Sequence, residues 1–158
     1  MSRSSHIHVL HGDIARIQCD ALVFPTGAGQ RSRGLVYQAL ARFVPGFAEA
    51  YEAQRRPFGE QPVYWLELPP TGTRRQVQGV VVAKIVDKRA AVATERTIAE
   101  VMGPAIRLCA EKLSRAQVLL AFPCLGTGKG SLGKPSRNAE AQLRAAAEAL
   151  ADWELAGE

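Results

Sequence analysis

Gln117-Val118-Leu119-Leu120-Ala121-Phe122-Pro123-Cys124-Leu125-Gly126-Thr127-Gly128-Lys129-Gly130-Ser131 is an apolar run that gives way to three glycines in alternation. Gln117 to Phe122 reads as a buried strand, and 123–135 as the loop behind it. Glycine accepts positive φ and lets the main chain approach a ligand closely. Successive backbone N–H groups in such a loop form a concave nest for phosphate oxygens. Thr127, Lys129 and Ser131 add side-chain donors. An ordinary tight turn would use the same glycines, so this stretch alone leaves both readings open. It is neither a Walker A sequence nor the GxGxxG dinucleotide fingerprint.

The same arrangement occurs nearer the N-terminus. Ala21-Leu22-Val23-Phe24 is a short apolar run closed by Pro25, and Pro25-Thr26-Gly27-Ala28-Gly29-Gln30-Arg31-Ser32-Arg33-Gly34 is a second glycine-rich loop. A helix should follow over Leu35 to Phe43, with Leu35, Val36, Ala39, Leu40 and Phe43 on one stripe. Pro45-Gly46 ends it, and Phe47 to Gln54 reads as a further helix. His6 to His11 alternates polar and apolar residues and reads as a strand. Gly12-Asp13 breaks it, and Ile14 to Cys19 is a connector with one helical turn. Gln61 to Leu68 and the β-branched Val77 to Val86 read as middle strands. Thr94 is placed to cap a long helix striped by Ile98, Val101, Met102, Ala105, Cys109 and Leu113, with a kink or break expected at Gly103-Pro104. Ser136 is placed to cap the last helix, striped by Ala139, Leu143, Ala146, Ala147 and Leu150.

Strands and helices therefore alternate. This predicts an α/β fold, a three-layer α/β/α sandwich around a mixed, mostly parallel sheet. Ligands of such sheets bind beyond the carboxyl ends of the strands, where both glycine-rich loops belong. Two flexible loops at one edge suit a diphosphate clamped from both sides. Asp13 adds a carboxylate after the first strand. It can accept from an exocyclic amine such as that of adenine, or cap the next turn.

The chain has 158 residues, 47% of them apolar, which suits a single domain spanning 1–158 with a sizeable core. The net charge is +5, and fifteen of the twenty basic residues are arginine. That balance fits an anionic ligand or a nucleic acid without choosing between them. Arg55-Arg56 and Arg74-Arg75 read as solvated loop charges. The three cysteines, Cys19, Cys109 and Cys124, are widely spaced, which argues against a disulfide framework or zinc site and for a reducing cytoplasm. Cys124 lacks an adjacent His or Asn and reads as a packing residue. His6, His8 and His11 lack a carboxylate or Cys partner and read as surface residues, so no metal is expected. Trp65 and Trp153 read as packing aromatics. No apolar run approaches the ~20 residues of a membrane span, so no membrane partner is expected.

These elements together resemble the macrodomain family. His11-Gly12-Asp13-Ile14 followed by Cys19-Asp20-Ala21-Leu22-Val23 is similar to that family's opening. Gly34-Leu35-Val36-Tyr37-Gln38-Ala39-Leu40 is similar to its loop entering a helix, and Gly59-Glu60-Gln61-Pro62-Val63 resembles its Gly-Glu-Ala-Val step. Phe122-Pro123 through Gly130 resembles its Phe-Pro-x-x-Gly-Thr-Gly phosphate loop. The resemblance runs from about His6 to Leu150. It implies a sandwich that binds ADP-ribose, or a related nucleotide, free or as ADP-ribosylated protein, with no cofactor. Asp13 would then hold the adenine amine and Ile14 would pack by the base. Thr26 and Gly27, with Gly34, Leu35 and Val36, would line the diphosphate and distal ribose from one side. Leu125, Gly126, Thr127, Gly128, Lys129, Gly130 and Ser131 would hold the diphosphate from the other.

The chain also departs from the family. Hydrolytic members carry Asn residues just after the second strand, where Val23-Phe24-Pro25-Thr26-Gly27 stands here. Leu35 replaces the second glycine, and Tyr37 stands where many members have an acid. General-base catalysis thus lacks its usual groups. The expectation is a binding module, with a hydrolase of ADP-ribosyl or acyl-ADP-ribose substrates, or a nucleic-acid-binding domain, as alternatives. Members of the family often add a strand after the last helix. Either that strand is absent here or this is one domain of a longer protein.

Overall fold

A computed structural model describes residues 3–31, 33–71, 77–86, 93–126 and 135–157. Its sheet is organised around β1 (Ala21–Gly27), whose first four residues are buried. A strand apolar on both faces needs a layer on each, and that is what surrounds it. β1 runs parallel to β3 (Gly79–Val86) on one side and to β4 (Leu120–Ala121) on the other. β2 (Val63–Glu67) pairs antiparallel with β3, so the sheet order is β2-β3-β1-β4.

Side-chain alternation along the strands divides the core in two. Leu22, Phe24, Val80, Val82, Tyr64 and Leu66 face α1 (Leu35–Phe43) and α2 (Phe47–Gln54). Ala21, Val23, Val81, Ala83, Ile85 and Trp65 face α3 (Glu95–Leu113) and α4 (Pro135–Ala156). The result is a three-layer α/β/α sandwich around a mixed, mostly parallel sheet.

Both short helices have the bounds that their punctuation predicts. Gly46 takes a left-handed φ of 79° between them, and a Cβ there would lie 2.7 Å from the ring of Pro69. Thr94 caps α3, accepting from the Thr97 N–H while the Thr97 hydroxyl accepts from its own. Of the kink or break expected at Gly103-Pro104, the break does not occur: α3 continues through Pro104. Its Ile98, Val101, Met102, Ala105 and Cys109 stripe is buried.

Four expectations are corrected. His6–His11 is not a strand; Val9 and Leu10 are 77% and 69% exposed. Alternation suffices for a strand only where a sheet edge receives it, and the chain's start is held by α4 instead. Arg3 donates to the Trp153 carbonyl at 3.0 Å and lies over its indole, and Ser5 bonds Glu154. The strand expected over Gln117–Phe122 contracts to Leu120–Ala121, half-buried at the sheet edge, with Leu119 exposed. The Leu119 N–H is taken by the Asp20 carboxylate at 2.7 Å, so this end of the strand is tied to a connector. Ser136 lies inside α4, which begins at Pro135, a residue suited to a first helical turn. Leu143 is 45% exposed, while Asn138 and Gln142 are buried in its place.

Candidate functional site

Because β1 and β4 are parallel neighbours, the loops that leave them emerge side by side at one edge of the sheet. The first loop is described except for residue 32. Of the second, Pro123 to Gly126 is described, and Thr127, Gly128, Lys129, Gly130 and Ser131 lie outside the described residues.

The first loop opens as a tight turn. The Ala28 N–H donates to the Val86 carbonyl at 3.0 Å and the Gln30 N–H to the Gly27 carbonyl at 3.0 Å. Gln30 has a left-handed φ of 52° and is 4% exposed. Its amide Nε2 donates to the Arg56 carbonyl, and its Oε1 accepts from the Tyr64 hydroxyl. Its backbone carbonyl accepts from the Tyr51 hydroxyl at 3.2 Å and from Arg33 at 3.3 Å. The Arg33 guanidinium lies over the rings of Tyr37 and Tyr51 and pairs with Glu52. Burial raises the pKa of Tyr51 and pushes that of Tyr64 up to about 12, so both phenols remain donors at neutral pH. Thr26 lies beneath this turn, 3% exposed. Its hydroxyl neighbours that of Tyr51, whose own proton goes to the Gln30 carbonyl and whose oxygen is left to accept from Thr26.

The loop ends at Gly34, the N-cap of α1, which offers no side chain to cap it. An uncapped helix start presents backbone N–H groups and the positive end of the helix dipole. Leu35, in the first turn, is 84% exposed, and Val36 packs with Ile14 and Tyr37 against the α1–α2 side of the core.

The second loop is held from α4. Gln142 Oε1 accepts the Leu125 N–H at 2.8 Å, and its Nε2 donates to the Pro123 carbonyl at 2.9 Å. Asn138 donates to the Gly126 carbonyl at 2.7 Å. The Leu125 side chain is fully buried and its N–H is engaged. Gly126 takes φ 66°. Asn138 and Gln142 are site-supporting residues that the sequence reading missed. Their signal was an i, i+4 amide pair just behind a glycine-rich loop.

Asp13 caps the short 3-10 turn Ile14–Arg16, its Oδ1 accepting the Ala15 N–H at 3.0 Å. That turn packs on α1 and so stands near the helix that the first loop enters. A separate depression of about 340 Å³ is lined by Glu60, Pro62, Lys84, Thr97 and Glu100, and includes none of the predicted site residues.

A mixed sheet between helix pairs, with two supported loops at one edge of its parallel strands, is the macrodomain fold. The structure is similar to the macrodomain of Mycobacterium tuberculosis DarG, with a TM-score of 0.67 and 20% identity over 93% of each chain. It is also similar to the macrodomain of Thermus aquaticus DarG, with a TM-score of 0.62, 17% identity and coverage of 89% of this chain and 87% of that one. An Oceanobacillus iheyensis macrodomain matches with a TM-score of 0.62 and 18% identity, over 89% of this chain and 75% of that one. At these identities the likeness is one of fold. The sequence matches no protein-family model and no curated protein.

Proposed function

We propose that this protein binds ADP-ribose or a closely related nucleotide diphosphate, free or protein-linked, between its two glycine-rich loops. The observation that carries the reading is the parallel pairing of β1 with β4, which sets both loops at the same edge of the sheet. The start of α1, where Gly34 offers no capping side chain, supports it, because such amides suit an anion. The second loop turns at the left-handed Gly126, which packs closely on Asn138 and Ile98. In this reading Gly34, Leu35 and Val36 meet the diphosphate from one side. Gly126, Thr127, Gly128, Lys129, Gly130 and Ser131 meet it from the other, while Asp13 receives the adenine amine and Ile14 flanks the base. Phe24 to Leu40 contains no Asp, Glu or His, and this composition supports binding without turnover.

The test is calorimetry and thermal melting against ADP-ribose, ADP, AMP and ribose 5-phosphate. A ligand that binds only the folded state raises the melting temperature by mass action. ADP-ribose should give the largest shift. No shift with any nucleotide at millimolar concentration would remove the site from these loops. Tight binding of a DNA or RNA oligonucleotide that collapses with added salt would indicate a nucleic-acid backbone as the target. A single-turnover assay on ADP-ribosylated protein, with product read by mass, separates a reader from a hydrolase.

A further inference from the structure

We propose that Gln30 is a positioning residue for the ligand: its buried amide and left-handed backbone clasp the first loop to Tyr51, Arg56 and Tyr64 and hold it in its binding shape. This rests on the reading of that loop as one wall of a nucleotide site. Left-handed backbone is disfavoured for a glutamine. Gly27 and Gly29 stand within three residues and would adopt it freely, yet the glutamine is the one that does. Such a conformation persists where its surroundings over-determine it.

Here they do. The Gln30 side chain both donates, to the Arg56 carbonyl, and accepts, from the Tyr64 hydroxyl. Its carbonyl receives the Tyr51 phenol and the Arg33 guanidinium. Arg33 belongs to the loop, but the other partners come from α2, from the segment after it, and from β2, so the loop is referenced to parts of the fold outside itself. The chain of contacts then runs on toward the site. Arg33 bonds Gln30, and Gln38 of α1 donates to the Arg33 carbonyl at 3.0 Å. The clasp therefore sets where the first amides of α1 stand. A loop already ordered in its binding shape spares the ligand the entropy of ordering it.

Two variants test this. Gln30→Gly removes the side-chain half of the clasp, to Arg56 and Tyr64, while permitting the same backbone turn, and Tyr64→Phe removes one of those hydrogen bonds and keeps the ring. Amide hydrogen exchange over 28–36 in the ligand-free protein is read beside calorimetry with ADP-ribose. In Gln30→Gly, exchange should quicken over 28–36 while the β1 and β3 amides stay protected, and Kd should rise by at least about ten-fold, which is 1.4 kcal/mol. Tyr64→Phe should fall between that variant and the unaltered protein in both measurements, and decides the matter if Gln30→Gly does not fold. Unchanged exchange in the folded variants overturns the clasp. Faster exchange with unchanged Kd overturns its role in positioning. If the unaltered protein binds no ADP-ribose, the nucleotide reading fails by itself, and exchange alone decides whether Gln30 orders the loop.

Discussion

Replacing Gln142 with alanine should destabilise the protein by about 2–3 kcal/mol and loosen the second loop. Gln142 is 9% exposed and uses both ends of its amide, accepting from Leu125 N–H and donating to the Pro123 carbonyl. Leu125 is fully buried, so its N–H finds no water once its acceptor is removed. A stranded buried donor costs about 1–3 kcal/mol. Pro123 is half-buried and its carbonyl recovers solvent, which keeps that loss small. The buried methylenes of the glutamine stem add about 1 kcal/mol, and the better helix propensity of alanine returns a few tenths. For a chain of 158 residues, each kcal/mol lowers the melting temperature by about 2–4 °C. The expected fall is therefore roughly 4–12 °C. Urea denaturation at unchanged slope gives the free energy, and scanning calorimetry the temperature. A loss below about 0.5 kcal/mol, the range of an ordinary surface substitution, would show that the Leu125 amide does not depend on Gln142 and that α4 does not hold the loop.

Gly126→Ala should lower the urea midpoint by the equivalent of about 2–4 kcal/mol, from left-handed backbone and overpacking together. Its Cβ would stand 2.8 Å from both Asn138 Nδ2 and Ile98 Cδ1, and a midpoint like that of the unaltered protein would refute this local geometry. Asp13→Ala should weaken ADP-ribose by about 1.5–3 kcal/mol, the range for a hydrogen bond to a charged group, and ribose 5-phosphate far less. Equal losses by calorimetry would mean that Asp13 serves only the turn at Ala15. Cys124 is exposed and should react with a disulfide reagent in the native state, whereas the buried Cys19 and Cys109 should react only on unfolding; three equal rates would contradict the packing. Burial pushes both buried thiols from 9.0 to about 12. Above pH 9 the unfolded chain releases those protons and the folded one does not, so their contribution to stability is full below pH 9 and declines up to about pH 12. Urea midpoints across that window should fall less steeply in a Cys19→Ala, Cys109→Ala double variant, and identical slopes would sink the assignment.

The readings that held are those in which local chemistry decides the outcome. Pro45-Gly46 ends one helix and starts the next whatever packs on them, and Thr94 carries its own cap hydrogen bond. The β-branched run up to Val86 had no alternative to a central strand. Two of the readings that failed, at His6–His11 and on α4, needed a partner that sequence does not show. Alternation in His6–His11 is real, but no strand edge receives it, and Arg3 and Ser5 engage the end of α4. On α4 the apolar stripe pointed to Leu143, yet the carbonyls and amides of the second loop lie against that helix and draw Asn138 and Gln142 inward. Buried amides look like surface residues in a composition. Gln30 was obscured in the same way, as a polar residue in a polar loop, although it is 4% exposed.

The two loops of the candidate site are supported by opposite sides of the sheet. The first rests on the α1–α2 side, where Tyr51, Tyr64 and Gln30 interlock, and the second on the α3–α4 side, through Asn138 and Gln142. Each support is a polar residue sunk among apolar ones, which is costly unless every bond is made. Among the described residues, Gln30 bonds Tyr51, Tyr64, Arg33 and Arg56, and Asn138 and Gln142 bond Gly126, Leu125 and Pro123. Between these supports stands β1, largely buried, carrying one loop at its own end and bordering the strand that carries the other. Glycine supplies the open backbone that a phosphate can approach, and on its own that backbone is too mobile to bind well. Buried amides from outside each loop supply the order the glycines lack. The residues that would touch a ligand and those that fix its geometry are therefore different sets, and only the first set has a motif.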